Sequence, residues 1–254
     1  MGRYHLAGQR TLEYARLIGD LESIVFIETH VLCHTLCGQG KHEEAERYIV
    51  DALNTVQQID NPSRTCEVLV NYARVFRRRG LFEQAESYVQ QALQLATQLT
   101  GTQQVSMQAF AYYELGKLYR DLGDQQSSQQ YLYAARNVFR HDADDPVLNI
   151  ELAWGILSNL GFVEHQLGNL DAAEQMYLQC LDFFQELGSK GARTTLLSRL
   201  ALLEEQRGNF AAALAYAGEA LLWSQRLDLS RERTLMEALW LRLDKPVDST
   251  ETPT

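Results

Sequence analysis

The chain has 254 residues, is 46% hydrophobic and 22% charged, and carries a net charge of −10 with a sequence pI near 5.1. That acidity disfavours general nucleic-acid binding, which rests on phosphate neutralisation. No apolar run is long enough to span a membrane, and four cysteines in a chain of this length make no disulfide framework.

Residues 1–23 read as a half-repeat or capping helix. Residues 7–20, with Leu12 and Ala15, look like the second helix of a pair whose first is missing. The expectation is a piece cut from a longer protein or a helix that packs on another chain, so self-association through this helix is a candidate. The opening Met1-Gly2-Arg3-Tyr4-His5 leads straight into an amphipathic helix with no secretory signal, and a reducing cytoplasm is the expected compartment.

Residues 24–227 read as five helix–turn–helix repeats. The first runs over 24–38, turns at Gln39-Gly40-Lys41 and continues over 42–59. Gly40, Gly80, Gly123, Gly168 and Gly208 each sit in the same phrase, spaced 40, 43, 45 and 40 residues apart. Five residues after each comes Ala45, Ala85, Ser128, Ala173 or Ala213. Twelve after comes Ala52, Ala92, Ala135, Cys180 or Ala220. Seven before comes Cys33, Ala73, Gly116, Gly161 or Ala201. A period in this range marks a solenoid. Apolar residues three and four apart on both sides of each glycine predict two amphipathic helices. The glycine suits a helix C-terminus, and the acids that follow (Glu43, Glu44, Glu83, Asp124, Asp171) suit a helix first turn. The small residues let the paired helices approach closely. Larger ones fill the seam: Leu32, Tyr72, Leu115, Leu160 and Leu200 before the turn, Ile49, Val89, Leu132 and Tyr177 after it. Residues 141–146 read as a longer inter-repeat loop, residues 228–244 as a capping helix with a polar outer face, and residues 245–254 as a disordered tail.

With Tyr112-Tyr113-Glu114-Leu115-Gly116-Lys117-Leu118-Tyr119 before Leu122-Gly123-Asp124, and Asn159-Leu160-Gly161 before Gly168-Asn169-Leu170-Asp171-Ala172-Ala173-Glu174, the chain resembles the tetratricopeptide repeat family. Its longer period resembles the repeats of kinesin light chains and of bacterial signalling ATPases and transcription activators. The resemblance covers roughly residues 24–226. It implies an all-α, right-handed superhelical solenoid of antiparallel helix pairs, about twelve helices in all. Ser128, Glu164 and Glu204 depart from the pattern, which predicts less regular packing in repeats three to five.

The search for chemistry finds no catalytic constellation and no cofactor motif. Gly38-Gln39-Gly40-Lys41 lacks the remaining glycine and hydroxyl of a phosphate loop. His30, Cys33, His34 and Cys37 share one helix at ligand-like spacing, but the repeat register turns Cys33 into the hairpin and the others toward the groove, so groove-lining histidines are the better reading than a metal site. Glu43, Glu44, Glu46, Glu83 and Glu86 read as a solvated outer face.

By the resemblance, the first helix of each repeat lines a concave groove. That places His34, then Arg74, Arg77 and Arg78, then Phe110, Tyr113, Lys117 and Arg120, then Phe162 in the groove. A cationic strip in an acidic body focuses anionic ligands. Arginine forks recognise carboxylates bidentately, and the aromatics offer apolar anchors. The plainer reading of Arg77, Arg78 and Arg79 is a solvated helix end. Asn71 and Asn159 lie nine residues before a turn glycine, where peptide-binding relatives use an asparagine to hold the ligand backbone; Val31, Glu114 and Arg199 fill the place in the other repeats. The plainer reading of each is a polar helix residue. The expected function is a non-catalytic scaffold that binds a peptide or protein segment, acidic or ending in a carboxylate, with no nucleic acid or membrane partner. The alternative is a ligand-sensing domain of a larger signalling ATPase or transcription activator.

Overall fold

The computed structural model describes residues 2–140, 150–227 and 229–243. The expected loop at 141–146 and tail at 245–254 lie outside the described residues, which hold helices and turns and no strand. In order they are α1 (Gly2–Ile18), then one helix made of α2 (Leu21–Phe26), a π-helical turn (Ile27–Cys33) and α3 (His34–Gly38), then α4 (His42–Val56), α5 (Pro62–Arg78), α6 (Phe82–Ala96), α7 (Gly101–Leu122), α8 (Gln125–Arg140), α9 (Ile150–Gln166), α10 (Leu170–Glu186), α11 (Lys190–Arg207), α12 (Phe210–Leu227) and α13 (Ser230–Leu243). With α2 to α3 taken as one rod, these are the twelve helices that the repeat pattern implies. The chain divides into two compact units, residues 1–156 and 157–254, and the division falls inside α9 rather than at a linker.

The five turn glycines all adopt positive φ, between 75° and 84°. Each closes its helix in the same way. The glycine N–H bonds the carbonyl three back, at 3.0–3.2 Å, and the next residue's N–H bonds the carbonyl five back, as Lys41 to Leu36 (2.9 Å) and Asn209 to Glu204 (2.9 Å). This double bond satisfies carbonyls that a helix end leaves orphaned, and it needs a left-handed residue, which glycine supplies at least cost. Starts are capped individually: Asp20 accepts from Ser23 N at 3.1 Å, Asn61 from Arg64 N at 3.1 Å just before Pro62, and Asp124 from Ser127 N at 3.0 Å. Asp124 is thus a cap, not a first-turn acid.

The small residues set the distance between paired helices. A Cβ on Gly116 would lie 2.6 Å from Leu132 Cγ, and one on Gly161 3.0 Å from Tyr177 Cε1. Ser128 replaces alanine without loss because its hydroxyl donates to the Gly116 carbonyl at 2.7 Å. Ile49, Val89, Leu132 and Tyr177 are fully buried in the seam; truncating any of them costs about 2–5 kcal/mol. Glu164 and Glu204 do not loosen their repeats as the sequence suggested. Both are buried, and each accepts from the turn asparagine five residues on, Asn169 at 2.7 Å and Asn209 at 2.8 Å. On the outer helices, Glu46 pairs with Arg79 and Glu86 accepts from Tyr119 Oη at 2.7 Å, so these acids tie adjacent repeats rather than being merely solvated.

In the first unit, α1 buries Leu12 and Ala15 against Ile24, Ile27 and Leu32. Its Arg16 donates at 2.7 Å to Glu28, which the π-helical turn buries completely. Leu6, Tyr14, Leu17 and Ile18 face outward. In the second unit, α13 packs Met236 and Leu239 onto Leu197, Ala201, Ala217 and Ala220. Its outer side is less polar than expected: Leu235, Trp240 and Leu241 are exposed beside Arg231 and Glu237.

Candidate functional site

Within each unit, helices one repeat apart are joined by polar contacts between residues 37–44 apart. In the first unit, His30 Nε2 meets Glu67 Oε1 at 2.7 Å, and Arg78 donates to the Cys37 carbonyl at 3.2 Å. Arg74 Nε donates to Glu114 Oε1 at 3.1 Å, Arg77 Nη2 reaches the same oxygen at 3.4 Å, and Arg77 also pairs with Asp121. In the second unit, His165 Nε2 meets Gln206 Oε1 at 2.9 Å. Arg199 Nη1 donates to the Ser158 carbonyl at 2.5 Å and to its hydroxyl at 2.7 Å, and Arg242 grips Glu205 with two bonds of 3.0 Å.

The densest node is on α5 and α7. Lys117 Nζ lies 3.1 and 2.8 Å from the two Glu114 oxygens, so Lys117, Arg74 and Arg77 share one carboxylate. The Glu114 side chain is 1% exposed, Arg77 5%, Arg74 11% and Lys117 13%. Arg74 stacks over Phe110 at 5.3 Å and Lys117 over Tyr113 at 4.8 Å, both within cation–π range. Burial alone would raise the Glu114 carboxyl, but the charges of Lys117, Arg77 and Arg74 outweigh it and hold the group well below the usual carboxylate range. Lys117 feels the opposite balance. Desolvation pushes it down, Glu114 only partly offsets this, Arg77 and Arg74 add to it, and the ammonium reaches about 7. His34, whose edge is exposed, is pushed down to about 4 by desolvation and then by Arg74 and Arg78.

The residues anticipated for the groove therefore divide by depth. Arg74, Lys117, Phe110 and Tyr113 come together as one half-buried cluster; Arg78 and His34 are exposed beside it, and Arg120 pairs with Asp121 at 2.6 Å. Arg77 belongs to the node but is buried. Asn71 is buried and its amide donates to the Glu67 carbonyl of its own helix at 2.9 Å, so it does not stand in the open as a clamp. Asn159 is also buried, and Phe162 lies under Arg199 at 5.3 Å in the second unit. The sequence reading missed Glu114 as the organising group. Its signal was a carboxylate in mid-helix, at the register of Asn71 and Asn159, with Lys117 one turn on. Cys33 and Cys37 are buried; Cys37 is pushed down to about 6, first by a hydrogen bond from Cys33. Among the described residues no group of three or more His, Cys, Asp or Glu is placed to hold a metal, and no helix is long and apolar enough to cross a membrane.

The model of the tetratricopeptide repeat family matches residues 27–98, 64–141 and 153–221. No curated protein matches by sequence. Among solved structures, BtubC from P. vanneervenii is 18% identical with a TM-score of 0.63, the match covering 100% of this chain and 96% of that one. A Rap protein complexed with competence and sporulation factor is 16% identical with a TM-score of 0.60, covering 95% and 74%. A signal transduction ATPase with a tetratricopeptide repeat sensor, from Pyrococcus horikoshii, is 16% identical with a TM-score of 0.66, covering 93% of this chain and 36% of that one. At these identities the likeness is one of fold.

Proposed function

The chain belongs to the tetratricopeptide repeat family, and on that footing we propose that it is a non-catalytic scaffold whose first-helix face forms a concave, locally basic groove for an acidic or carboxylate-bearing peptide segment. The observation that supports this most is the convergence of Arg74, Arg77 and Lys117 on one buried carboxylate, with exposed Arg78 beside them, in a chain of net charge −10. Such a field concentrates anionic segments on one face and repels basic ones. Phe110 and Tyr113 give the segment apolar footing; Asn71 and Arg77 act from beneath as positioning residues, and His34 extends the contact surface. Asn159 and Phe162 hold the corresponding places in the second unit. The Rap structure, complexed with competence and sporulation factor, has the same fold and fits a ligand-binding role. The setting is cytoplasmic, and α1 offers a surface for self-association.

The test is a panel of acidic, neutral and basic peptides of equal length, titrated against wild type and the Arg78→Glu/Arg120→Glu double variant. Acidic peptides bind the wild type best, and the variant, folded by circular dichroism, binds them at least about tenfold more weakly. Equal binding by both proteins removes this face from the reading.

A second reading draws on the Pyrococcus horikoshii likeness: a ligand-sensing domain of a larger signalling ATPase or transcription activator, in which occupancy shifts the repeat array between states. A nucleotide-binding or DNA-binding domain in the same gene would favour it.

A further inference from the structure

The node on α5 and α7 is unbalanced. Four cations, Arg74, Arg77, Lys117 and Arg120, meet two carboxylates, Glu114 and Asp121. Glu114 is saturated, taking contacts from Arg74, Arg77 and Lys117. Among the described residues no acceptor meets the two terminal nitrogens of Arg74, which are not fully buried, while the buried Nε of Arg77 has no hydrogen-bond partner. A buried donor left without a partner is costly. An arginine with an open fork, backed by Phe110 and set beside Lys117, matches a carboxylate.

We propose that this node is a carboxylate site short of an anion, and that Lys117 takes up a proton when a ligand carboxylate docks between it and Arg74. The inference rests on the acidic-ligand reading above and adds its regulation. The charged and titratable groups that face Lys117 are Glu114 and Tyr113 on its own helix, Arg74 and Arg77 on α5, and His34 on α3. Glu114 is ionised and Arg77, held above its ordinary value, is charged across the neutral range, and His34, held near 4, is neutral there. Lys117, held near 7, is the member of this group with a proton to exchange. A second carboxylate at the node offsets the repulsion from Arg74 and Arg77 and favours the ammonium. Binding and protonation then assist each other, as linkage requires.

The experiment is isothermal titration of the protein with a short oligoglutamate peptide, as free acid and as C-terminal amide. It is run between about pH 6 and about pH 8, in buffers of different ionisation heat. The wild type takes up a fraction of a proton on binding, and its affinity falls about tenfold over that range, the yield of one proton with a midpoint near 7. Lys117→Arg, permanently charged, binds with a flat profile, within about twofold. Binding of the amide identifies side-chain carboxylates as the ligand group; binding of the free acid alone identifies the chain terminus; both support the site. Binding without proton uptake, or a pH slope that survives in Lys117→Arg, overturns the inference and leaves the acidic-ligand reading intact. Failure of both peptides to bind at any pH overturns both. The proton count is read on the wild type, so the result stands even where the variant is unstable.

Discussion

The node on α5 and α7 and the contacts on α9 and α11 use one register with opposite chemistry. Nine residues before the turn glycine, the first unit places Glu114, an anion buried among three cations. The second unit places Arg199 there, a cation that stacks on Phe162 and Tyr177 and donates to a backbone carbonyl. The repeat fixes which positions meet; it leaves free what is placed there. Packing requires only that buried groups find partners. The same register thus carries a carboxylate among cations in the first unit and a cation on aromatic rings and a backbone carbonyl in the second.

The largest expected break in this comparison is Glu114→Ala. It leaves three cations around an empty, desolvated place and costs about 3–5 kcal/mol. Arg199→Ala removes bonds whose acceptor, the Ser158 carbonyl, sits within a helix, and costs about 1–2 kcal/mol. Urea unfolding of the two variants, followed by hydrogen exchange to locate the effect, checks the ranking. Equal losses would mean that the charged node is no more than another packing contact. pH sharpens the same contrast. The Glu114 carboxyl lies well below its ordinary 4.5 in the native state, so its stabilisation is complete above that value and is lost as pH falls through the native value. Lys117 works in the other direction. Its native value, about 7, lies below the ordinary 10.5, so the unfolded chain holds the extra proton between them and stability rises with pH across that window. Lys117→Met removes the rise. The second unit has a smaller lever, His165, lowered by burial, whose contribution fades as pH falls below its ordinary 6.5.

A smaller break lies at the paired-helix seams. Gly116→Ala forces a Cβ to 2.6 Å from Leu132 Cγ, whereas Gly161→Ala brings one to 3.0 Å from the edge of the Tyr177 ring. The first costs about 1–3 kcal/mol, the second less, because a shift of a few tenths of an ångström by the Tyr177 ring relieves it. Thermal melts of the two variants decide it. A larger loss at Gly161 would show that Tyr177 is less able to shift than Leu132.

The repeat, its turns and most of the seam were legible because backbone geometry and close packing restrict residue type. Only a left-handed residue closes the turn at Gly40 or Gly208, and only small ones fit at Ala73 or Ala201. The polar node was half legible. Register placed Arg74, Arg77, Lys117, Phe110 and Tyr113 on one face, but register alone does not say how deep a side chain sits. Arg77, assigned to open groove, is buried because it also pairs with Glu114 and Asp121 on the neighbouring first helix, and Asn71 is buried while donating within its own helix. Glu114 escaped notice because its meaning comes from residues 37 and 40 positions away, Arg77 and Arg74. Pairing at that range follows from the stacking of repeats, and its one local mark is a mid-helix carboxylate a turn before Lys117.

The smallest effect tests whether a departure from the repeat pattern is a defect or a substitute. At the turn between α5 and α6 the two positions five apart are Phe76 and Leu81, and Phe76 stacks on Tyr88 at 5.4 Å. At the turn between α11 and α12 they are Glu204 and Asn209, joined at 2.8 Å, with Arg207 on the other Glu204 oxygen at 3.1 Å. Asn209→Leu strips one donor from a buried carboxylate and costs about 1 kcal/mol. Glu204→Phe alone leaves the asparagine without its acceptor and Arg207 with only its outer partners, Glu174 and Asp171. The double variant places the second repeat's residue types, those of Phe76 and Leu81, at this turn, and loses less than the sum of the single changes. The coupling, about 0.5–1 kcal/mol, is read from a double-mutant cycle in urea. Strict additivity would mean that the two side chains act separately, and that Glu204 is tolerated at this seam rather than used by it.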